Sequence, residues 1–305
     1  MGKTRHVFFV AFLVALLVFT VYVLLDTFVI VRRIETASEP QNVFELSDSS
    51  QEESDSEIIL TENSYRDGTV SIVITEERVA DTTVYVADVR LSSADALRTA
   101  FAENTYGRNV TQTTSAMAAS VHAILAINGD YYGAQQSGYV IRNGVLYRST
   151  ANRDAEDLVI YADGRFEIVQ ESAVTAEELL ERGAQNVFSF GPALVENGAV
   201  AVTQYDEVAR HMVSNPRTAI VLLDQLHYLF VVSDGRTEKS KGLSLYELAG
   251  FLQEKGAQTA YNLDGGGSST MVFNGRVVNQ PTYDGSIEER SVSDIVYIGS
   301  SDRKG

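Results

Sequence analysis

The chain contains no cysteine and no tryptophan, and only four of its 305 residues are proline. Without cysteine, the sequence excludes a disulfide-stapled fold, a thiolate zinc site and a cysteine nucleophile. Positive charge is also scarce, because 24 lysines and arginines stand against 41 acidic residues and give a net charge of −17. Nucleic acids are bound by basic surfaces, so this balance predicts that nucleic acid is not a partner.

Charged residues are absent from one long apolar run, Val7 to Leu25. About 20 apolar residues are needed to cross a bilayer as a helix, whereas a cleaved signal peptide has an apolar core of about 7–15 residues and a small-residue cleavage site. The sequence therefore predicts a transmembrane anchor over residues 1–33, with cleavage as the alternative. Bases flank the run on both sides, and the base-free stretch that follows favours export. We expect a single-pass membrane protein with a cytoplasmic N-terminus and an extracytoplasmic body.

Acidic charge is concentrated after the apolar run. Nine acidic residues and no base lie between Glu35 and Glu62, among many serines. Such a composition repels itself and buries no core, so it predicts a flexible stalk over residues 34–65. The body, residues 66–305, then carries a net charge of −11 and is expected to form one domain.

The body is rich in strand and hairpin signals. Short β-branched and aromatic runs alternate with turn residues, and Asp163-Gly164 joins two of these runs in a tight hairpin. Helical patterns are fewer, and two of them begin with a capping box, at Thr175 with Glu178 and at Ser244 with Glu247. The expected fold class is α+β: a hairpin-rich mixed β-sheet core with a few flanking helices, preceded by one transmembrane helix.

The most distinctive local feature is the segment Tyr261 to Thr270, which reads YNLDGGGSST. A strand delivers Asp264, three glycines follow, and hydroxyl residues come directly after them. Consecutive glycines pack nothing and cost backbone entropy, so they suit a place where backbone amides approach a ligand such as a phosphate. The segment is neither a P-loop nor a nucleophile elbow, because the residues that follow the glycines do not match either motif.

Other polar clusters also follow or precede strands. They contain amide, carboxylate and guanidinium groups, which suit a sugar ring and an anionic group. The candidates at these positions are Asn128, Gly129, Asp130, Arg217, Thr218, Asp234, Arg236 and Arg290.

The sequence contains no complete motif for a metal site or for a Ser-His-Asp catalytic triad. The four histidines lack metal-ligand spacing, and the sequence requires no cofactor, although a divalent cation such as Ca²⁺ would suit Asp130, Asp234 and Asp264 by ligand type. A Ser-His-Asp hydrolase would have to pair Ser268 or Ser269 with His211.

In chain order, the motifs NGDYY, NPRTAI, SDGR, NLDGGGSS and ERSVSD resemble the phosphodiester glycosidase family. This group is related to the lysosomal enzyme that uncovers mannose 6-phosphate, and its bacterial members are often labelled exopolysaccharide biosynthesis proteins. The resemblance covers roughly residues 84–298. The family usually has two phenylalanines where this chain has Tyr131 and Tyr132, and a proline where it has Ser291.

The resemblance implies hydrolysis of a sugar-1-phosphodiester, in cell-surface or exopolysaccharide glycan metabolism, with a sugar-phosphodiester or glycopolymer as substrate. Glycosyl transfer requires carboxylates at the anomeric carbon, and the candidates are Asp264 first, then Asp130 and Asp234. The substrate and its phosphate would be bound by Asn128, Gly129, Arg217, Thr218, Arg236, Gly265, Gly266, Gly267, Ser268, Ser269 and Arg290. Two other classes stay open, a non-catalytic cell-wall or polysaccharide-binding module on a stalk and a membrane-anchored glycopolymer transferase.

Overall fold

Short strands joined by tight turns build most of the protein. The computed structural model describes residues 12–23, 25, 30–33, 58–203 and 214–299. Every strand pairing among these described residues is antiparallel. The predicted Asp163-Gly164 turn joins Glu156–Tyr161 to Phe166–Gln170 as an antiparallel hairpin, as expected from the sequence.

Three large sheets make up the described part of the chain. The first has nine strands, in the spatial order Ala199–Val200, Ala193–Glu196, Thr259–Leu263, Arg217–Asp224, His227–Ser233, Thr82–Leu91, Val70–Val79, Ser64–Arg66 and Ile59–Leu60. The second has five, in the order Val145–Arg148, Val140–Arg142, Ala184–Phe188, Glu156–Tyr161 and Phe166–Gln170. The third also has five, in the order Arg276–Val277, Met271–Phe273, Leu125–Asn128, Asp294–Ile298 and Leu97–Phe101.

Two small two-stranded pairs accompany the sheets. Arg32–Arg33 pairs with Gly107–Arg108, and Thr282–Tyr283 pairs with Ser286–Ile287. The latter pair, residues 282–287, is called the 282–287 hairpin below.

Three α-helices lie on the outer faces of the sheets in the described body. They are Thr114–Ser120, Ala176–Glu181 and Leu245–Glu254, and short 3-10 turns occur at Ala94–Ala96, Ala102–Asn104, Tyr132–Ala134 and Gly266–Ser268. Both predicted capping boxes are confirmed. The Thr175 hydroxyl accepts the Glu178 amide at 3.2 Å while the Glu178 carboxylate accepts the Thr175 amide at 2.8 Å, and Ser244 and Glu247 form the same reciprocal bonds.

The hydrophobic core lies where the three sheets meet. Phe230, Leu158 and Val296 come from different sheets and belong to one buried cluster. The central strands Arg217–Asp224 and His227–Ser233 are also buried on their opposite face, where Val221 and Val231 pack beneath the helix Leu245–Glu254. Strands buried on both faces read as continuous apolar runs, and for this reason these strands were recognisable in the sequence.

The predicted transmembrane helix is wrong. No helix among the described residues is long and apolar enough to cross a membrane. Residues 12–23 are helical. Arg32–Arg33 then runs along Gly107–Arg108 as a strand, and Arg33 forms an ion pair with Glu103 at 2.6 Å.

Most of the predicted stalk, residues 34–57, lies outside the described residues. Its last part is described, and Ile59–Leu60 and Ser64–Arg66 form the edge of the nine-stranded sheet.

Candidate active site

Asn128 ties together the strand ends on which the candidate site is built. Its side-chain amide donates to the Asp264 carbonyl at 2.6 Å. Its side-chain oxygen accepts the Thr218 hydroxyl at 2.9 Å and the Thr270 amide at 3.2 Å. Asn128 and Thr218 are fully buried. Both residues therefore lie beneath the site and hold strands of two sheets together.

A cleft of about 540 Å³ opens above these strand ends and is called the main cleft. It is lined by Gln135, Phe190, Gly191, Pro192, Asn215, Arg217, Arg236, Leu245, Asn262, Asp264, Gly265, Gly266 and Arg290. The charged residues in this lining are three arginines and one aspartate. The main cleft is thus a positive region on an acidic body, which favours an anionic ligand.

Asp264 and Arg290 contact each other directly at the edge of the main cleft. An Arg290 guanidinium nitrogen, Nη2, lies 2.7 Å from Asp264 Oδ2. The Ser268 hydroxyl donates to the same carboxylate oxygen at 2.5 Å and accepts Arg290 Nε at 2.9 Å. Burial raises the pKa of Asp264, and the charge of Arg290 together with the Ser268 hydrogen bond opposes that rise. The two donors therefore stabilise the ionised form of a buried carboxylate.

The other two arginines enter the main cleft from the strand that begins at residue 217 and from the loop after residue 233. Arg217 is buried, and its Nε donates to the Leu243 carbonyl at 2.8 Å. Arg236 is exposed and donates to the Asn215 side-chain oxygen from Nη2 at 3.1 Å. The two guanidinium groups are thus held at the cleft by neighbouring loops.

The three glycines after Asp264 are required by close packing. A Cβ at Gly265 would lie 2.9 Å from the Pro216 carbonyl oxygen, and one at Gly267 would lie 2.9 Å from the ring of Tyr283. Gly266 has a φ of +61°, and its amide donates to the Pro216 carbonyl at 2.8 Å. The Gly266 amide, predicted to bind phosphate, is therefore used inside the protein.

Asp130, predicted as a catalytic candidate, lies outside the lining of the main cleft. It is fully buried, and its Oδ1 lies 2.8 Å from Arg142 Nη2. The same Arg142 nitrogen lies 2.9 Å from Asp294 Oδ2, and the Ser189 amide donates to Asp130 Oδ2 at 2.9 Å. The geometry makes Asp130 part of a buried ion-pair network with Arg142 and Asp294, two residues that the sequence analysis did not identify.

Asp234 is also absent from the lining of the main cleft. Its Oδ1 accepts the Gln280 amide at 2.8 Å, so it anchors the segment that leads to the 282–287 hairpin. Among the residues that the structure describes, no three acidic or histidine side chains lie together as metal ligands. Asp130, Asp234 and Asp264 thus do not form one cluster of metal ligands, and the divalent cation stays a prediction.

The serines of the loop occupy different surroundings. Both are fully buried, but the Ser268 hydroxyl contacts Asp264 and Arg290, whereas the Ser269 carbonyl accepts the Asn279 side-chain amide at 2.9 Å. His211, the proposed base of a Ser-His-Asp hydrolase, lies outside the described residues.

A second cleft, of about 440 Å³, lies on the other side of Arg290. Arg290 lines both clefts, while Asp264 lines only the main cleft. The second cleft is lined by Asn109, Thr111, Tyr131, Gly133, Ala134, Tyr283, Glu288, Glu289, Arg290, Ser291 and Ser293. A ligand that binds Arg290 can therefore extend in two directions.

Gly129 couples the buried ion-pair network to the site, and its replacement by alanine is predicted to destabilise the fold. A Cβ at Gly129 would lie 2.2 Å from Asp294 Oδ1, while the Gly129 carbonyl accepts the Asp264 amide at 3.1 Å. We expect Gly129→Ala to lower the free energy of unfolding by about 3 kcal/mol or more, because it overpacks a buried charged group. Urea denaturation measures this loss.

Gly250→Ala is the matched control for that experiment. Gly250 lies in the helix Leu245–Glu254, and no atom lies within 4 Å of its added Cβ. Alanine should raise the free energy of unfolding there by up to about 1 kcal/mol. Equal destabilisation by both substitutions would contradict the packing argument at Gly129.

A buried acidic pair behind the cleft wall predicts a pH-dependent stability. Asp157 is buried beside Glu171, and burial together with the Glu171 charge raises the pKa of Asp157 to about 9. The folded state therefore holds a proton that the unfolded chain releases above about pH 4, so this contribution to stability is lost as pH rises towards 9. Asp157→Asn, which mimics the protonated acid, should raise the melting temperature at pH 8 by about 3 °C or more.

The gain should shrink at pH 5, because pH 5 lies only about one unit above the pKa at which the unfolded chain releases this proton, whereas pH 8 lies about four units above it. Thermal melts of both proteins at the two pH values make the comparison. A gain that is equal at pH 5 and pH 8 would show that the proton on Asp157 does not cause it.

Comparisons with known proteins relate the chain to a described family. Residues 122–299 match a family model described as phosphodiester glycosidase. The chain is 30% identical over 202 residues to YomE, an uncharacterised protein of the SPbeta prophage in Bacillus subtilis, and the match covers 65% of this chain and 31% of YomE. It is 40% identical over 70 residues to mouse N-acetylglucosamine-1-phosphodiester alpha-N-acetylglucosaminidase, covering 23% of this chain and 13% of that enzyme. The chain thus spans less than a third of the length of either relative.

Two solved structures share the fold. The catalytic domain of zebrafish N-acetylglucosamine-1-phosphodiester alpha-N-acetylglucosaminidase, auto-inhibited by its pro-peptide, superimposes with a TM-score of 0.60 at 22% identity. That match covers 76% of this chain and 83% of the zebrafish chain. A hypothetical protein from Synechocystis superimposes with a TM-score of 0.57 at 14% identity, covering 76% of this chain and 62% of that one.

Proposed function

Because the chain belongs to the phosphodiester glycosidase family, we propose that it hydrolyses a sugar-1-phosphodiester, releasing the sugar and leaving a phosphomonoester. The resemblance noted in the sequence is confirmed by the family match and by the related enzymes. The observation that carries the proposal is the direct contact between Asp264 and Arg290 at a cleft with three arginines.

Asp264 is proposed to act in its ionised form at the anomeric carbon. A water molecule attacks that carbon and transfers a proton to the Asp264 carboxylate, while the bond from the carbon to the phosphate oxygen breaks and its electron pair stays on the phosphate. A phosphate is already a good leaving group, so the site needs to bind its charge more than to protonate it. The paired Arg290 and Ser268 support this role, since both donate to Asp264 Oδ2.

Arg290 is proposed to bind the phosphate. Its bonds to Asp264 and Ser268 use Nε and Nη2, and its position between the two clefts suits a phosphate that carries a group on each side. Arg217 and Arg236 line the main cleft and add positive charge there. Arginine forks suit phosphate oxygens.

A non-catalytic polysaccharide-binding module would use many of the same groups, but a neutral glycan needs neither the three arginines nor a buried carboxylate paired with one of them. A glycopolymer transferase would give a new glycosidic product in place of free sugar. The predicted extracytoplasmic location and the role in exopolysaccharide metabolism stay predictions.

The test uses the full chain and a panel of sugar-1-(methyl phosphate) diesters, with Ca²⁺ or with a chelator. ³¹P NMR should show methyl phosphate forming as free sugar appears. Glycan binding without any cleavage across the panel would favour the binding module instead. A difference in rate between the two metal conditions would show whether a divalent cation takes part.

A further inference from the structure

We propose that the second cleft binds the arm of the phosphodiester that leaves with the phosphate, and that Tyr131 and Tyr283 select an uncharged, ring-bearing arm. The proposal rests on the proposed function, because it assigns the two halves of that substrate to the two clefts. It adds the residues that choose between substrates with the same sugar.

The positions of Asp264 and Arg290 set the direction of the substrate. Asp264 lines the main cleft and is absent from the lining of the second cleft, whereas Arg290 lines both. A sugar whose anomeric carbon faces Asp264 therefore lies in the main cleft, and its phosphate meets Arg290. The remaining ester arm then continues past Arg290 into the second cleft.

Two exposed tyrosines flank this path. Tyr131 and Tyr283 are 37% and 42% exposed. The Arg290 guanidinium carbon lies 5.6 Å from the centre of the Tyr131 ring. The position of a Cβ on Gly267 lies 2.9 Å from the Tyr283 ring and 3.5 Å from the Arg290 side chain, so Tyr283 also lies close to Arg290. Two aromatic rings that line the cleft next to the arginine can pack against a ring that follows the phosphate.

The charge of the second cleft argues for an uncharged arm. Glu288 and Glu289 line the cleft beside Arg290. Glu289 is held in place, because its Oε1 accepts the Ser115 amide at 2.9 Å and its other oxygen accepts the Ser115 hydroxyl. A second phosphate on the arm, as in a nucleoside diphosphate sugar, would approach these carboxylates and be repelled.

The experiment compares two substrates that share one sugar, one with a methyl arm and one with a pyranosyl-methyl arm on the phosphate. For Tyr131→Ala and Tyr283→Ala, the ratio of kcat/KM for the ring-bearing over the methyl substrate should fall about tenfold. Hydrolysis of the methyl substrate should stay within about twofold of wild type, since the stacked ring is absent there. Ile287→Ala is the control, because Ile287 is exposed on the same hairpin and lies outside the lining of the second cleft.

Each outcome decides the proposal. An unchanged ratio in both tyrosine variants, or an equal loss on both substrates, would overturn the assignment of the arm while leaving the proposed function intact. Failure of the wild type to cleave either substrate would overturn the proposed function and this inference together. As a further check, Glu288→Gln should raise kcat/KM several-fold for a substrate with a second phosphate on its arm, and no change would contradict the charge argument.

Discussion

Asp264→Asn is expected to lower kcat for sugar-1-phosphodiester hydrolysis by about 10²–10⁴-fold, the usual contribution of a positioned acid–base group. The asparagine keeps the shape of the side chain and can still accept the Ser268 hydroxyl, but it takes no proton from water. Because burial already raises the pKa of Asp264, removing its charge should not unfold the protein. Initial rates of methyl phosphate release measure the loss, and a thermal melt measures the fold.

Asp224→Asn is the matched control for this change. Asp224 is exposed at the far end of the strand Arg217–Asp224, so the same substitution removes the same charge from the same sheet away from the cleft. Its activity should remain at the wild-type level. Asp264→Asn with more than a tenth of the wild-type kcat would contradict the catalytic role of Asp264.

Arg290→Gln is expected to give the second large effect, a loss of about 10²-fold or more in kcat/KM, because it removes a charged donor from the developing phosphate charge. It should also change the pH profile. The Arg290 charge lowers the pKa of Asp264 against the effect of burial, so its removal raises that pKa further. Since Asp264 acts in its ionised form, the acid limb of the kcat/KM profile should move to higher pH.

Arg276→Gln is the matched control, because it removes the same charge from the protein surface at a position away from the main cleft. Arg276 lies on the strand Arg276–Val277 and contacts Glu62, away from the main cleft. Its variant should keep both the rate and the pH profile of the wild type. An Arg290→Gln profile that keeps its acid limb in place would show that Arg290 and Asp264 do not act as a coupled pair.

The sequence predicted the residues of the candidate site that are close along the chain or stand out by type. Asp264 and its glycine loop form one continuous segment, and Arg290 belongs to a motif with its own hydroxyl residues. The structure brings these two motifs into contact. Capped helices and hairpins were predictable for the same reason, since their signals are local.

Asp130 shows what a sequence pattern does not determine. The sequence predicted its position just after a strand, but its partners Arg142 and Asp294 are 12 and 164 residues away in the chain. Whether a carboxylate meets a ligand or an internal arginine depends on which strands become neighbours. The same holds for the Gly266 amide, whose acceptor is the Pro216 carbonyl of a distant loop.

Hydrolysis in ¹⁸O-labelled water tests the central claim most directly, because it identifies which bond is broken. The full chain is incubated with a sugar-1-(methyl phosphate) diester, and the methyl phosphate product is examined by mass spectrometry and by the ¹⁸O isotope shift in ³¹P NMR. Attack at the anomeric carbon predicts methyl phosphate without ¹⁸O, since all four oxygens of that product then come from the substrate. Incorporation of one ¹⁸O into the phosphate would mean cleavage between phosphorus and oxygen, and would contradict a glycosidase mechanism at Asp264.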